Sequence, residues 1–140
     1  MNLSIVARVK SLGLPLEQCI VAGSGVLDAL GIRRADDVDL VVTKSLYEVL
    51  KLNDSEWTEE PQHDRHRLVD QSGLVEVWYS WASQHGVLSY DELQPSSIVL
   101  DGIRFTSLDF VFEWKRWMDR PKDQNDVRLI EAYKEVVHDS

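Results

Sequence analysis

The sequence predicts an α/β (α+β) chain: a small mixed β-sheet with helices packed on it, forming one domain over residues 1–140. Three observations predict it. Apolar residues recur at helical spacing near both ends of the chain. Two short apolar runs, "CIVAG" and "DVDLVV", bracket a helix-like segment. Residues 66–107 read as strand pieces joined by "QSG" and "DG" turns. Strands first interleaved with helices and then bunched together call for one sheet that helices cover.

Leu3, Ile5, Val6, Val9 and Leu12 place a first helix near 2–12, stopped by Gly13 and Pro15. "CIVAG" is continuously apolar, as a strand buried on both faces requires, and "SGVLDALG" then makes about two helical turns closed by Gly31. "DVDLVV" is the next strand. Thr43 is a natural N-cap for the helix "TKSLYEVLKL". "HRLVD" and "LVEVWYSW" flank "QSG" as an antiparallel hairpin, and "SIVLDGIRFTS" is a second hairpin or a bent strand pair around Asp101 and Gly102. Helices near 107–118 and 123–137, separated by Pro121, end the order.

Composition narrows the function. A chain of 140 residues with 44% hydrophobic residues can bury one good core. Its N-terminus reads as an amphipathic helix without a cleavage-site pattern, and no uncharged run is long enough to span a bilayer, so the expected location is the cytoplasm, away from membranes. One cysteine, Cys19, offers neither a disulfide nor a thiolate metal site and suits a buried strand start. A formal charge of −9 argues against holding nucleic acid by bulk electrostatics, because phosphate neutralisation needs clustered cations. Local basic patches remain at Arg33 and Arg34, at Arg65 and Arg67, and in "EWKRWMDRPK". The acid is concentrated in "NDSEWTEEPQHD", a solvated loop or short edge strand.

The chemistry centres on "VAGSGVLDALGIRRADDVDLVV", residues 21–42. Strand side chains alternate, so Asp37 and Asp39 project to one side while Val38 faces the core. Two neighbouring carboxylates repel unless a cation sits between them, and hard divalent ions take oxygen ligands while leaving positions open for phosphates. Gly23 and Ser24 turn sharply into a helix and bring backbone N–H groups and a hydroxyl beside the acids, at a helix end that favours anions. Each part alone has a plainer reading: Ser24 as a helix cap, the Asp-x-Asp as a solvated strand edge. Arg33 and Arg34 serve either loop solubility or phosphate neutralisation.

These residues resemble the signature of the DNA polymerase β-like nucleotidyltransferase superfamily: Gly-Ser, a spacer of roughly a dozen residues, then acid-hydrophobic-acid. Gly23, Ser24, Asp37 and Asp39 fall on it. The resemblance implies the nucleotidyltransferase fold, two divalent metal ions, Mg²⁺ or Mn²⁺, held by Asp37 and Asp39, and phosphates gripped by the Gly23-Ser24 turn. It also implies a third carboxylate on a later strand. Glu76 in "LVEVWY" matches, an acid at mid-strand that is costly to bury without a cation, whereas its rival Asp70 sits beside a turn. The C-terminal third resembles small bacterial toxin-type and antibiotic-modifying members of the superfamily, with Lys115, Arg120, Lys122, Asp123 and Asp126 on their pattern. Lys115 and Lys122 are then expected at the nucleotide's phosphates. Asp123 and Asp126 read chiefly as a capping-box-like pair opening the last helix.

The remaining candidates carry less. Phe110, Trp114 and Trp117 form a helix-packing stripe, one member of which could stack on a base. Trp78, Tyr79 and Trp81 either wall the cleft or fill the sheet. His63, His66 and His85 make no zinc spacing. The expected activity moves a nucleoside monophosphate from an NTP to an acceptor hydroxyl on RNA, protein or a small molecule. Asp37, Asp39 and Glu76 would be its catalytic acids, and a homodimer mate or partner protein would complete the cleft. The competing expectation is a catalytically inactive nucleotide- or partner-binding module of the same fold.

Overall fold

The structure is a computed structural model that describes residues 3–139, with side chains described through residue 137. Residue 2, where the first helix is expected to begin, lies outside the described residues. Helix α1 runs from Ile5 to Ser11, with the Ser4 hydroxyl accepting from the Ala7 N–H. Strand β1 (Cys19–Ala22) and the short helix α2 (Gly25–Ala29) follow, then β2 (Val38–Val42) and α3 (Lys44–Lys51), the last capped by Thr43 as its sequence indicates. Strands β3 (Trp57–Gln62), β4 (Arg65–Asp70) and β5 (Val75–Trp78) come next. A hairpin of β6 (Ser80–Ser83) and β7 (Gly86–Ser89), the helical turn α4 (Tyr90–Leu93), and β8 (Ile98–Leu100) with β9 (Ile103–Phe105) lead to α5 (Leu108–Met118) and α6 (Pro121–Asp139).

Seven strands form one mixed sheet in the order β3-β4-β5-β2-β1-β9-β8. Strand β2 is antiparallel to β1 but parallel to β5, and β1 is parallel to β9. The period-two alternation assigns each strand residue to a face. Val21, Val38, Leu40, Val42, Val75, Val77 and Leu68 point to one side and pack with Ile5, Val9, Val26, Leu27, Leu46 and Tyr47 of α1, α2 and α3. Ile20, Ala22, Val41 and Trp78 point to the other, where Trp81, Leu93 and Trp114 cover only part of the sheet. The uncovered part of that second face is where the site lies.

The fold class expected from the sequence is the one found, a mixed α/β chain with helices on its sheet. Among the strands, one element differs in detail, and two readings left open by the sequence are decided. "LVEVWYSW" is two strands, because the chain leaves the large sheet after Trp78 and Ser80 opens the separate β6–β7 hairpin. That hairpin turns where Ser83 Oγ accepts from the His85 N–H and Gly86 takes a φ of 95°. The acidic "NDSEWTEEPQHD" includes a six-residue edge strand, β3, paired along its whole length with β4 and anchored by buried Trp57. "SIVLDGIRFTS" is a true hairpin, with Asp101 and Gly102 both at positive φ as a tight primed turn requires.

The last helix begins at Pro121 rather than at 123, with the ring at the first helical position, where no N–H is needed. Asp123 is therefore not the cap. It sits three residues after Arg120 and accepts from the Arg120 backbone N–H at 3.2 Å, which is one half of a capping box. Asp126 takes no part in the cap. No helix among the described residues is long and apolar enough to cross a membrane.

Gly25 shows how tightly α2 sits on the sheet: a Cβ there would lie 2.5 Å from Val21 Cγ1 and 3.3 Å from Ile5. Gly25→Ala is expected to lower the melting temperature, because overpacking costs about 1–3 kcal/mol and outweighs the helix propensity of Ala. An unchanged melt would show that Val21 can yield.

Candidate active site

Site geometry follows from strand register. Ala22 pairs with Asp39, Asp39 with Glu76, and Val69 with Glu76, so the paired side chains share one face across four adjacent strands, β1, β2, β5 and β4. Arg67 and Arg65 lie two and four residues before Val69 and share that face. The chain thus lays out, across the sheet, the Gly23-Ser24 turn, then Asp39, then Glu76, then Arg67 and Arg65. They line a cleft of about 640 Å³ together with Asp36, Asp37, Trp78, Trp81, Trp114, Lys115, Trp117 and Lys122.

Gly23 is required by its backbone conformation. Its φ is +66°, and a Cβ there would stand 3.4 Å from Asp39 Oδ2. The turn after β1 thus lies beside the carboxyl of Asp39, at ordinary contact distance.

Ser24 does not cap α2. Its hydroxyl accepts from Lys115 Nζ at 3.1 Å and from Arg33 Nη2 at 3.0 Å. Both cations are fixed from behind: Asp126 is bonded by Arg33 at 2.6 and 2.7 Å and by Lys115 at 2.8 Å, while Asp123 lies 3.5 Å from Lys115 and also takes Arg120. Burial alone would raise the Asp126 carboxyl, yet the bonds from Arg33 and Lys115 hold it below the ordinary carboxylate value. The α2 helix is only five residues long, so the positive field at Ser24 comes chiefly from these two side chains and little from a helix dipole.

Asp39 is half-buried, and its carboxyl is pushed up to about 7, first by burial, then by the charges of Glu76 and Asp37, with Lys115 pulling it back. Asp39 and Glu76 stand close enough to share a proton. Glu76 is also engaged from the other side by Arg67, which reaches Glu60 as well at 3.2 Å. Asp37 differs from expectation in one respect: it precedes β2 as an exposed residue in the loop. That loop is clamped by Arg8, which donates to the carbonyls of Ala35 and Asp36 at 2.8 Å each, and by buried Asp28, which accepts from the N–H groups of Ile5 and Ala35.

Among the described residues no three His, Cys, Asp or Glu side chains are gathered tightly enough to hold a metal ion. The paired carboxyls of Asp39 and Glu76 fit one hard cation by donor chemistry, since their mutual repulsion is what a cation would relieve. Asp37 reaches them through its charge alone.

Lys115 was expected in the cleft and is found there, 2% exposed and bonded to Ser24 and Asp126. Lys122 is exposed on the cleft wall. Sequence reasoning singled out the Arg33 and Arg65–Arg67 clusters without assigning them positions, and it missed Arg8 and Asp28. The i, i+2 spacing of Arg65 and Arg67 on a strand was the available signal. Of the Trp stripe, Trp114 is buried with its Nε1 donating to Ala82 O at 2.9 Å, whereas Trp117 is 49% exposed on the cleft.

The architecture matches solved nucleotidyltransferase structures. The crystal structure of ANT(2″)-Ia in complex with adenylyl-2″-tobramycin aligns over 91% of this chain and 83% of that chain, with a TM-score of 0.55 and 19% identity. The solution structure of the antibiotic-resistance factor ANT(2″)-Ia aligns over 91% and 78%, with a TM-score of 0.55 and 18% identity. No protein-family model and no curated protein matches the chain. The fold is the one these nucleotidyltransferase structures have.

Proposed function

We propose that this chain is a nucleotidyltransferase that moves a nucleoside monophosphate from an NTP to an acceptor hydroxyl. The observation that carries the reading is the register pairing of Asp39 with Glu76 beside a Gly-Ser turn whose hydroxyl is held by two cations. Ser24 and the Gly23 backbone orient the β- and γ-phosphates, with the charges of Arg33 and Lys115 behind them and Lys122 at the rim. Asp39 and Glu76, with Asp37 moving in from its loop, would hold Mg²⁺ or Mn²⁺. Bound there, the ion would supply neutralisation between the carboxylates and the triphosphate. The acceptor oxygen bonds to the α-phosphorus as the bridging P–O bond to the β-phosphate breaks. Pyrophosphate leaves, and the hydroxyl proton passes to Glu76. A second copy or a partner protein would complete the acceptor side.

A second reading is favoured by one specific observation. Arg67 already engages Glu76, as it would in a nucleotide-binding module that no longer transfers.

Thermal melts with each of the four NTPs separate the readings. An NTP at ~100 times its dissociation constant stabilises by roughly 2.7 kcal/mol, and this gain is expected with Mg²⁺ or Mn²⁺ and absent in EDTA. Equal gains in EDTA would remove the metal bridge. Metal-dependent binding with no label passed to any acceptor would favour the module.

A further inference from the structure

The far side of the cleft from Ser24 is built differently from the near side. Strand β4 lies three strand spacings from β1, roughly 14 Å at ~4.8 Å each. There Arg65 lays its guanidinium over the Trp78 ring, 4.7 Å from the centroid, and donates through Nη1 to Ser80 O at 2.8 Å. Arg67 approaches the same ring at 5.9 Å. Unlike Arg33, Arg67, Lys115 and Arg120, Arg65 has no carboxylate at ion-pair distance among the described residues. Burial makes the Arg65 guanidinium more acidic than usual, and the charge of neighbouring Asp64 only partly opposes that.

The same wall holds two buried donors without acceptors: Arg67 Nε and Trp78 Nε1. Trp78 is 7% exposed and lines the cleft, whereas Trp81 stands on the near side, its ring 3.9 Å from where a Gly23 Cβ would be. Unsatisfied buried N–H groups are costly, and here all the missing partners are acceptors.

We propose that this wall is an oxyanion subsite for the acceptor: Arg65, backed by Trp78 and Arg67, binds a phosphate or carboxylate borne beside the hydroxyl that receives the nucleotide. The inference rests on the nucleotidyl-transfer reading and narrows it, since ligands at Ser24 and at Arg65 would flank Asp39 and Glu76 from opposite sides. A planar guanidinium fixed on an aromatic face suits the paired oxygens of such a group. An amine-rich acceptor of the tobramycin kind would meet Arg65 and Arg67 as like charges.

The test uses inorganic phosphate as the minimal probe, followed by tryptophan fluorescence and by melting, at constant ionic strength set with chloride. Phosphate is titrated into the wild-type chain, Ser24→Ala, Arg65→Met and Arg65→Lys. The expected result is saturable phosphate binding that survives Ser24→Ala, weakens about tenfold or more in Arg65→Met, and is partly kept in Arg65→Lys. Arg65→Met should retain its metal-dependent NTP shift. If Arg65→Met does not fold, the wild-type and Ser24→Ala titrations and the Lys variant still decide. Absence of Arg65-dependent phosphate binding, or tobramycin binding more tightly than phosphate, overturns the subsite. NTP binding alongside that absence would leave the nucleotidyl-transfer reading standing. Arg65-dependent phosphate binding without any NTP shift would instead retain the subsite and remove the reading. A short RNA oligonucleotide with a free 3′-hydroxyl and ribose 5-phosphate then distinguish the source of the oxyanion: a marked advantage for the oligonucleotide assigns it to a nucleic-acid end, and equal binding assigns it to a small molecule.

Discussion

Asp39→Asn is expected to make the metal-free chain more stable at pH 8 while abolishing metal-dependent NTP binding and nucleotidyl transfer. The folded carboxyl sits up at about 7 because it is buried beside Glu76 and Asp37, against an ordinary aspartate value near ~3.9 in the unfolded chain. The folded state therefore holds the Asp39 proton more tightly than the unfolded state does. Its favourable contribution is fully present below ~4, declines as pH rises toward 7, and is gone above that. At pH 8 the charged pair costs on the order of a few kcal/mol, which the amide removes with little change in volume. The melting temperature should thus rise by several degrees at pH 8 and converge with wild type near pH 4. In Mg²⁺ and NTP the order reverses, since the amide cannot neutralise a divalent ion. Full transfer by Asp39→Asn would make the strand-borne acid scaffold, and an Asp39→Asn melt below wild type at pH 8 would show that the pair is already neutralised within the folded chain.

That expectation joins a stability cost to a functional need, and it explains which parts of the site were legible beforehand. Asp39 and Glu76 could be read because each is an acid inside an apolar run, where burial forbids a charge without a partner. Their pairing could not, because parallel register between β2 and β5 is set by the chain between them, including a β3–β4 hairpin whose acidic sequence reads equally as loop. Gly23 and Ser24 were legible as a turn, but not the source of their positive field. Arg33 follows Ser24 by nine residues and Asp126 lies 93 residues beyond Arg33, so only the folded chain brings them together. Asp123 and Asp126 looked like a matched cap because they are three apart. The structure divides them: Asp123 secures the start of α6 at Arg120, and Asp126 turns inward to two cations. The break after Trp78 was hidden for a different reason, since Tyr79 and Trp81 continue an aromatic run that suits a strand on either side of a bend.

Lys115→Met is the substitution expected to cost the most stability. The ammonium is 2% exposed and lies 2.8 Å from Asp126, 3.5 Å from Asp123 and 3.1 Å from Ser24 Oγ. Removing one partner of a buried ion pair strands the other charge, a loss of about 3–5 kcal/mol. Asp123 keeps Arg120 and Asp126 keeps Arg33, so the lower end of that range is expected, seen as a clear fall in melting temperature at pH 7. Burial by itself would raise the Asp126 carboxyl, but Arg33 and Lys115 depress it, so the stability it contributes is present above ~3.9 and is lost as pH falls through its lower folded value. With Lys115 gone that acid limb should move to higher pH, and Lys115→Met with Asp126→Asn should recover part of the melt, because neither member of the pair is then left charged. NTP affinity would fall as well, since the Ser24 hydroxyl loses one of the two donors that fix its lone pairs. A variant that melts like wild type yet no longer binds NTP would give Lys115 the direct phosphate contact that the superfamily resemblance implies. A variant that melts low and still binds NTP would restrict the lysine to holding α5 and α6 against the Ser24 turn.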